Sequence, residues 1–182
     1  MKLKLQNAPY VANQIIQDLS RSPLVRLGAS SKLSKTAENI ILEDMRLELR
    51  IENETRDILE EYQDDIDDMQ LDERDLFNKI KRQLSVKYNF ELDEKDRYSK
   101  LSHEILDKLL AEDEVSFVVS YNDVKNIIHA SFDKFISFQN VARNAVLEKL
   151  ENYKRRLIPG SDEYEVIFNR LYEEEMAKKG LI

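Results

Sequence analysis

The chain has 182 residues, with 28 Lys and Arg against 36 Asp and Glu, a net charge of -8 and no cysteine. That length is one generous domain or two small ones, and the absence of cysteine excludes disulfides, thiolate zinc sites, iron–sulfur clusters and a cysteine nucleophile. Three glycines and three prolines are too few turn-formers for the many short strands of a sandwich or barrel, and 35% charged residues describe a well-solvated surface, so a mainly helical protein is expected.

A pI near 5.0 sets the whole molecule against nucleic acid and anionic membranes, and binding to either needs a segregated basic face. The opening Met1-Lys-Leu-Lys-Leu-Gln-Asn-Ala-Pro has two lysines but no apolar run after them, so no secretory signal is expected. No stretch approaches the 18 or so apolar residues of a membrane span. The expected address is the cytoplasm.

Along the chain, Val11, Ile15, Ile16 and Leu19 lie on one helical face and predict a short first helix. After Ser22-Pro23, the apolar run Leu24-Val-Arg-Leu suits an extended segment. A long helix follows from about Ser34, carrying Ile41, Met45, Leu49, Ile58, Leu59, Tyr62, Ile66 and Met69, with a kink or break expected in its charged stretch between Glu43 and Asp68. Asp72 with Asp75 has the spacing of a capping box and starts another helix; Asn89-Phe90 ends it, because Asn tolerates the left-handed conformation there. Residues 93–97, Asp-Glu-Lys-Asp-Arg, read as a charged connector.

The pattern then returns. Leu101, Ile105, Leu106 and Leu109 repeat the first helical face at an offset of 90, and Val115-Ser-Phe-Val-Val repeats the extended run. A helix of about 35 residues, about 50 Å long, is expected from Asn122, with no Gly or Pro before Pro159. Asp162 with Glu165 opens the last helix, and Gly180-Leu181 closes it as Asn89-Phe90 closes its counterpart. Shared apolar period and shared end signals predict a tandem duplication: 1–92 a first helical repeat, 93–97 the connector, 98–182 a second repeat. Asn39-Ile-Ile falls on Asn126-Ile-Ile, Arg56 on Arg143, and Leu76-Phe77 on Ile167-Phe168, so Phe77 and Phe168 are expected at equivalent core positions. The two extended runs are expected to pair across the copies, giving a mainly all-α fold with a small two-stranded element.

Three stretches carry a resemblance: the opening Met1-Lys-Leu-Lys-Leu with Pro9-Tyr-Val-Ala, the block Asp75-Leu-Phe-Asn-Lys-Ile-Lys-Arg, and PGSDEYEVIFNRLYEEEMAKKG from Pro159 to Gly180. Together they resemble, over almost the whole chain, a bacterial family named only as domain of unknown function 507, in its long two-copy form. The resemblance brings no catalytic motif. Some members are labelled competence proteins, which implies a tie to DNA uptake without a mechanism. The family's capped helix has a Trp where Asn78 follows Phe77 here.

Chemistry-bearing residues are few. Two histidines, His103 and His129, cannot make a three-histidine metal site, and neither has a Glu three residues before it as a di-iron bundle requires. His103, with Asp107 one turn later, reads as the solvated edge of an amphipathic helix, with a pH-sensitive surface pair as the alternative; His129 beside Ile128 is a boundary residue of the long helix. The acidic run Asp64-Asp65-Ile-Asp67-Asp68, with Asp72 and Glu73, lacks the Gly and terminal Glu of a calcium loop and reads as a solvated helix end. No Gly-x-Ser-x-Gly elbow, P-loop or dinucleotide loop can be built with glycines only at 28, 160 and 180. Lys79, Lys81, Arg82 and Lys87, with Lys149, Lys154, Arg155 and Arg156, offer a basic face if the fold unites them.

The expectation is therefore a non-enzymatic module for protein–protein contact or scaffolding, with no catalytic residue, cofactor, nucleotide or metal, whose partner is another protein or a second copy. A patch rich in Phe, Tyr or Leu is expected on a long helix or beside Val115 to Val119. The alternatives are a nucleic-acid accessory protein linked to DNA uptake, and a carboxylate-based hydrolase, whose paired acids need no sequence motif.

Overall fold

The structure is a computed structural model that describes residues 5–153 and 157–178. It is 80% helical. A single 3-10 turn at Leu5–Asn7 leads into α1 (Ala8–Arg21), then β1 (Val25–Leu27), α2 (Ser30–Glu61), α3 (Gln63–Asp68) and α4 (Glu73–Lys87). The order continues with α5 (Glu94–Ala111), β2 (Val115–Phe117), α6 (Tyr121–Glu151) and α7 (Asp162–Lys178). Among the described residues, no helix is long and apolar enough to cross a membrane.

The helices pack by the faces their apolar spacing defines. Val11, Ile15, Ile16 and Leu19 on α1 are all buried, as are Leu101, Ile105, Leu106 and Leu109 on α5. α1 packs on α2 and α6, α5 packs on α6 and α2, while α4 lies on α2 and α7 on α6. The main core thus draws residues from both halves, from Ala8 to Met45 and from Tyr98 to Met176. Tyr98 stacks on Phe132 with ring centroids 5.1 Å apart, joining α5 to α6. A small second cluster, Ile51, Leu84 and Phe90, holds α4 to the outer part of α2.

The two extended runs do pair. β1 and β2 form an antiparallel ladder with Val25 opposite Phe117, Arg26 opposite Ser116 and Leu27 opposite Val115. The ladder is prolonged at both ends, Gly28 N–H donating to the Glu114 carbonyl at 2.8 Å and Val118 N–H to the Leu24 carbonyl at 3.3 Å. Gly28 also leaves room for the Glu114 carboxylate, which a Cβ there would displace. That carboxylate accepts from Ala29 N–H at 3.2 Å and pairs with Lys32 at 3.3 Å, satisfying the start of α2 from the other half of the chain.

Helix ends follow local chemistry, with some departures from expectation. Asp72 caps α4 by accepting from Asp75 N–H at 3.0 Å. The last helix is capped by Ser161, whose hydroxyl accepts from Tyr164 N–H at 3.3 Å, and Asp162 falls one residue inside, in the first turn. A complete capping box stands instead at Ser120 and Asp123, before α6. Residues 93–97 continue into α5, with Asp93 accepting from Lys95 and Asp96 N–H. α6 ends at Glu151, where the Asn152 side chain donates to the Glu148 carbonyl, so Leu157 falls outside it. Asn89 has φ 51°, as a left-handed cap requires; Gly180 lies outside the described residues.

Phe77 and Phe168 do not occupy equivalent core positions. Both are half-buried, but Phe168 packs against the main core between Tyr164 and Tyr172, whereas Phe77 borders a shallow surface recess with Asp72, Glu73 and Arg74. The reason is the separate small core under α4, which offers less apolar surface than α7 finds on α6.

Candidate interaction surface

Charge is concentrated at one end of the first half. Between residues 57 and 75 the chain has ten carboxylates and one cation, Arg74, a net -9. The whole chain carries -8, so everything outside this stretch sums to +1.

That concentration shapes the backbone. The C-terminal end of a helix is the negative pole of its dipole, where carboxylates are unfavourable and cations favourable. Neither α2 nor α3 has a basic residue in its last turn. α2 stops at Tyr62, with φ -108° and ψ 19°, so the break expected in this charged region falls at its far end and Glu43 to Glu61 remains helical. α3 lasts six residues and closes with Gln70 at φ 51°. There Leu71 N–H donates to the Ile66 carbonyl and Gln70 N–H to the Asp67 carbonyl, at 3.0 and 3.1 Å, the bond pair that turns a chain back over its own last turn.

The result is an apolar cleft of about 240 Å³ lined by Ile58, Leu59, Tyr62, Asp65, Ile66, Leu71, Leu76 and Ile80. Leu59 and Ile66 form its buried floor. Its lip is exposed, with Tyr62 53% and Leu71 46% accessible, and Met69, in the turn that follows α3, is 68% accessible. Apolar side chains of this size are here left in water within the most acidic stretch of the chain. The sequence contains the signal, since Tyr62, Met69 and Leu71 interrupt the acidic run. The regular spacing of Ile58, Tyr62 and Ile66 by four, however, reads as the buried face of one uninterrupted helix.

The other expected residues fall elsewhere. His103 and Asp107 are bridged by Tyr121, which the sequence reading missed: its hydroxyl donates to Asp107 at 2.7 Å and lies 3.2 Å from His103 Nδ1, with the two rings stacked. Burial, then the Asp107 bond, pushes the Tyr121 hydroxyl up to about 12, so it stays protonated near neutral pH. His129 is half-buried and meets Asp133 at 3.1 Å. Among the described residues, no three His, Asp or Glu side chains converge to hold a metal ion, the acidic run included. Beside β2, Val118 is 86% exposed next to half-covered Leu24, a smaller apolar spot where one was expected.

Among the described residues, three of the candidate cations are held in local ion pairs. Lys81 pairs with Glu52 at 2.7 Å, Lys87 with Glu54 at 2.9 Å and Lys149 with Glu175 at 2.5 Å. The first two belong to the α4–α2 pair and the third to the α6–α7 pair; Lys154, Arg155 and Arg156 lie outside the described residues. Buried carboxylates are also committed. Arg97 donates through Nε to Asp44 at 2.7 Å and through Nη1 to Glu48 at 2.7 Å, and its guanidinium lies over the Phe90 ring at 4.6 Å. Burial pushes the Asp44 carboxyl above its ordinary range, and Arg97 opposes that shift.

Fold and surface together define an acidic, nearly all-helical protein, clasped by a two-stranded ladder and exposing an apolar cleft inside a polyanionic tip. The chain belongs to the family described as protein of unknown function (DUF507), which it matches over residues 1–181. No curated protein matches it.

Proposed function

We propose that the protein is a non-enzymatic, cytoplasmic helical module that works by protein–protein contact, docking its partner at the tip formed by α2, α3 and α4. The observation that carries this reading is the exposure of Tyr62 and Leu71 on an apolar cleft, with exposed Met69 in the adjoining turn after α3. Burying such a lip contributes about 25 cal/mol per Å² of apolar surface removed from water. The pairing of Lys81, Lys87 and Lys149 with carboxylates weighs against the nucleic-acid alternative, because neutralised lysines release few counterions. The engagement of Asp44 and Glu48 by Arg97 weighs against a hydrolase built on those acids.

A photo-activatable residue in place of Met69, illuminated in the producing cells, tests the docking. One dominant adduct between this chain and another polypeptide is expected, and the same residue in place of Glu173, which is exposed on α7, is expected to give none. Adducts only with nucleic acid, or equal labelling from both positions, would reject the reading.

The two halves are further proposed to be copies of one ancestral unit, a reading that the unlike positions of Phe77 and Phe168 weigh against for the last helix of each. The exchange of packing partners between α1 and α5, and a ladder register centred on Arg26 and Ser116, support this origin. Superposing 8–88 on 98–178 should overlay α1 on α5, β1 on β2 and α2 on α6; a different helix order in space would end the idea.

A further inference from the structure

Resting on the docking reading above, we propose that the cleft takes a basic amphipathic helix of a partner protein, its apolar stripe seated on Ile66 and Leu71 and its Lys and Arg side chains reaching the carboxylates of the rim. Three properties of the tip select this occupant over others.

The first is charge. A stretch of net -9 on a molecule whose remainder sums to +1 is a localised field that attracts and orients a cationic segment. The same field repels phosphate backbones, and two copies each carrying -8 repel one another, so nucleic acid and a second copy are disfavoured at this face. The second is shape. The cleft of about 240 Å³ accepts a few aliphatic or aromatic side chains, the anchors that one helix face presents at i, i+3 or i+4, and i+7.

The third is the lining itself. The cleft is framed by helices, whose interior N–H and C=O groups are engaged along their own axes, and it offers apolar side chains on its floor. An extended peptide laid there would leave its backbone polar groups against apolar surface without partners, a costly arrangement. A helix brings its backbone already satisfied. Cations at its flanks would also offset the repulsion among Asp64, Asp65, Asp67 and Asp68, which the chain leaves uncompensated by any basic residue between 57 and 73.

The test uses the full-length protein and three synthetic peptides of about 18 residues, long enough to be helical when bound. One has Leu at i, i+3, i+4 and i+7 with Lys and Arg elsewhere; the second has the same composition scrambled so that no apolar face exists; the third keeps the face and replaces every cation by Glu. Binding is followed by nuclear magnetic resonance of the Ile, Leu and Met methyl groups. The first peptide is expected to shift Ile66, Met69 and Leu71, to bind at least about tenfold more tightly than the scramble, and to weaken as salt rises. The third is expected not to bind.

Two variants separate docking from folding. Tyr62→Ser with Met69→Ser changes side chains more than half exposed, and is expected to lower the affinity at least about tenfold at an unchanged circular dichroism spectrum. Asp64→Asn with Asp68→Asn removes two like charges one helical turn apart, so it is expected to raise the melting temperature while weakening the first peptide. A merely structural role of these acids would move both readouts in the same direction. Equal binding of the scramble, or shifts confined to residues away from the tip, would overturn the helical occupant. If no peptide binds while the cross-linker at position 69 still captures a protein, the partner chemistry is wrong and the docking reading stands. Failure of both experiments rejects both.

Discussion

Gln70, Asn89 and Asp113 hold φ at 51°, 51° and 54°, in the left-handed region that favours glycine. All three follow a helix. At Asn89 the bonds from Phe90 N–H to the Ser85 carbonyl and from Asn89 N–H to the Val86 carbonyl satisfy the end of α4. Asn accepts this conformation at little cost, but Gln and Asp do so less readily, and glycine would remove the strain. Asp113→Gly is therefore expected to stabilise the protein by about 0.5–1 kcal/mol, and Asn89→Val to destabilise it by about 1 kcal/mol or more. Urea denaturation followed by circular dichroism checks both, and a lower midpoint for Asp113→Gly would contradict the strain argument.

At the same scale, Arg97 is the cation on which two largely buried carboxylates depend. Removing it takes away the guanidinium that both Asp44 and Glu48 bond, and Arg97→Ala is expected to cost about 3–5 kcal/mol at neutral pH. The pH dependence follows from the direction of the shift. Burial already raises the folded Asp44 carboxyl above its unfolded value, and without Arg97 it rises further, so the folded variant binds a proton more readily than the unfolded chain. Protonation then relieves the defect. The stability gap between the native protein and the variant should shrink as pH falls from 7 towards 4; a gap that is constant over that range would mean that lost packing on Phe90, not charge, is the cause.

Among elements, α7 shows how far a single carboxylate can tie two helices together. Glu175 accepts from Lys149 on α6 at 2.5 Å and from Lys178 on its own helix at 2.8 Å, and these bonds pull its carboxyl down to about 2. A depressed folded value contributes stability that is present above the ordinary value of 4.5 and is lost as pH falls towards 2. Amide exchange should therefore show α7 losing protection relative to α1 over that window, and Glu175→Gln should flatten the loss. An unaltered profile in the variant would place the acid sensitivity elsewhere.

The helices themselves were legible because apolar spacing near 3.6 residues reports burial directly: Val11, Ile15, Leu19, Ile105 and Leu109 are all in the core. The strand pairing was legible for a similar reason, as two β-branched runs in a chain with few other strand formers have little else to pair with. Boundaries were less so. Asp162 and Ser161 are both good caps one residue apart, and only the bond to Tyr164 N–H decides between them. The tip was visible as charge and missed as a cleft, because a period of four is the same in a continuous helix and in one broken at Tyr62. Tyr121 was missed because its partners His103 and Asp107 come from another helix, a meeting that no local spacing encodes.

For the whole molecule, the decisive feature is that the main core does not respect the midpoint of the chain. α1 needs α6 and α2 needs α5, while β1 has no strand partner except β2 among the described residues. Ser131 on α6 donates to Asp18 on α1 at 3.0 Å, and Glu114 satisfies the start of α2. Each half therefore exposes on separation the apolar faces that the other covers, and a two-stranded ladder cannot survive as one strand. Residues 1–92 expressed alone are expected to show weak, uncooperative thermal melting, and residues 93–182 likewise. Mixed in equal amounts, the two fragments are expected to regain helicity and a single cooperative transition, since the surfaces that meet across the midpoint are complementary and need no covalent link. The similarity of α1 to α5 adds a sharper consequence: the 1–92 fragment at high concentration should tend to pair with itself, β1 against β1, and this self-pairing should yield when 93–182 is added. A 1–92 fragment that melts cooperatively as a monomer would show that the first half has a sufficient core of its own, and would overturn the shared-core account of this fold.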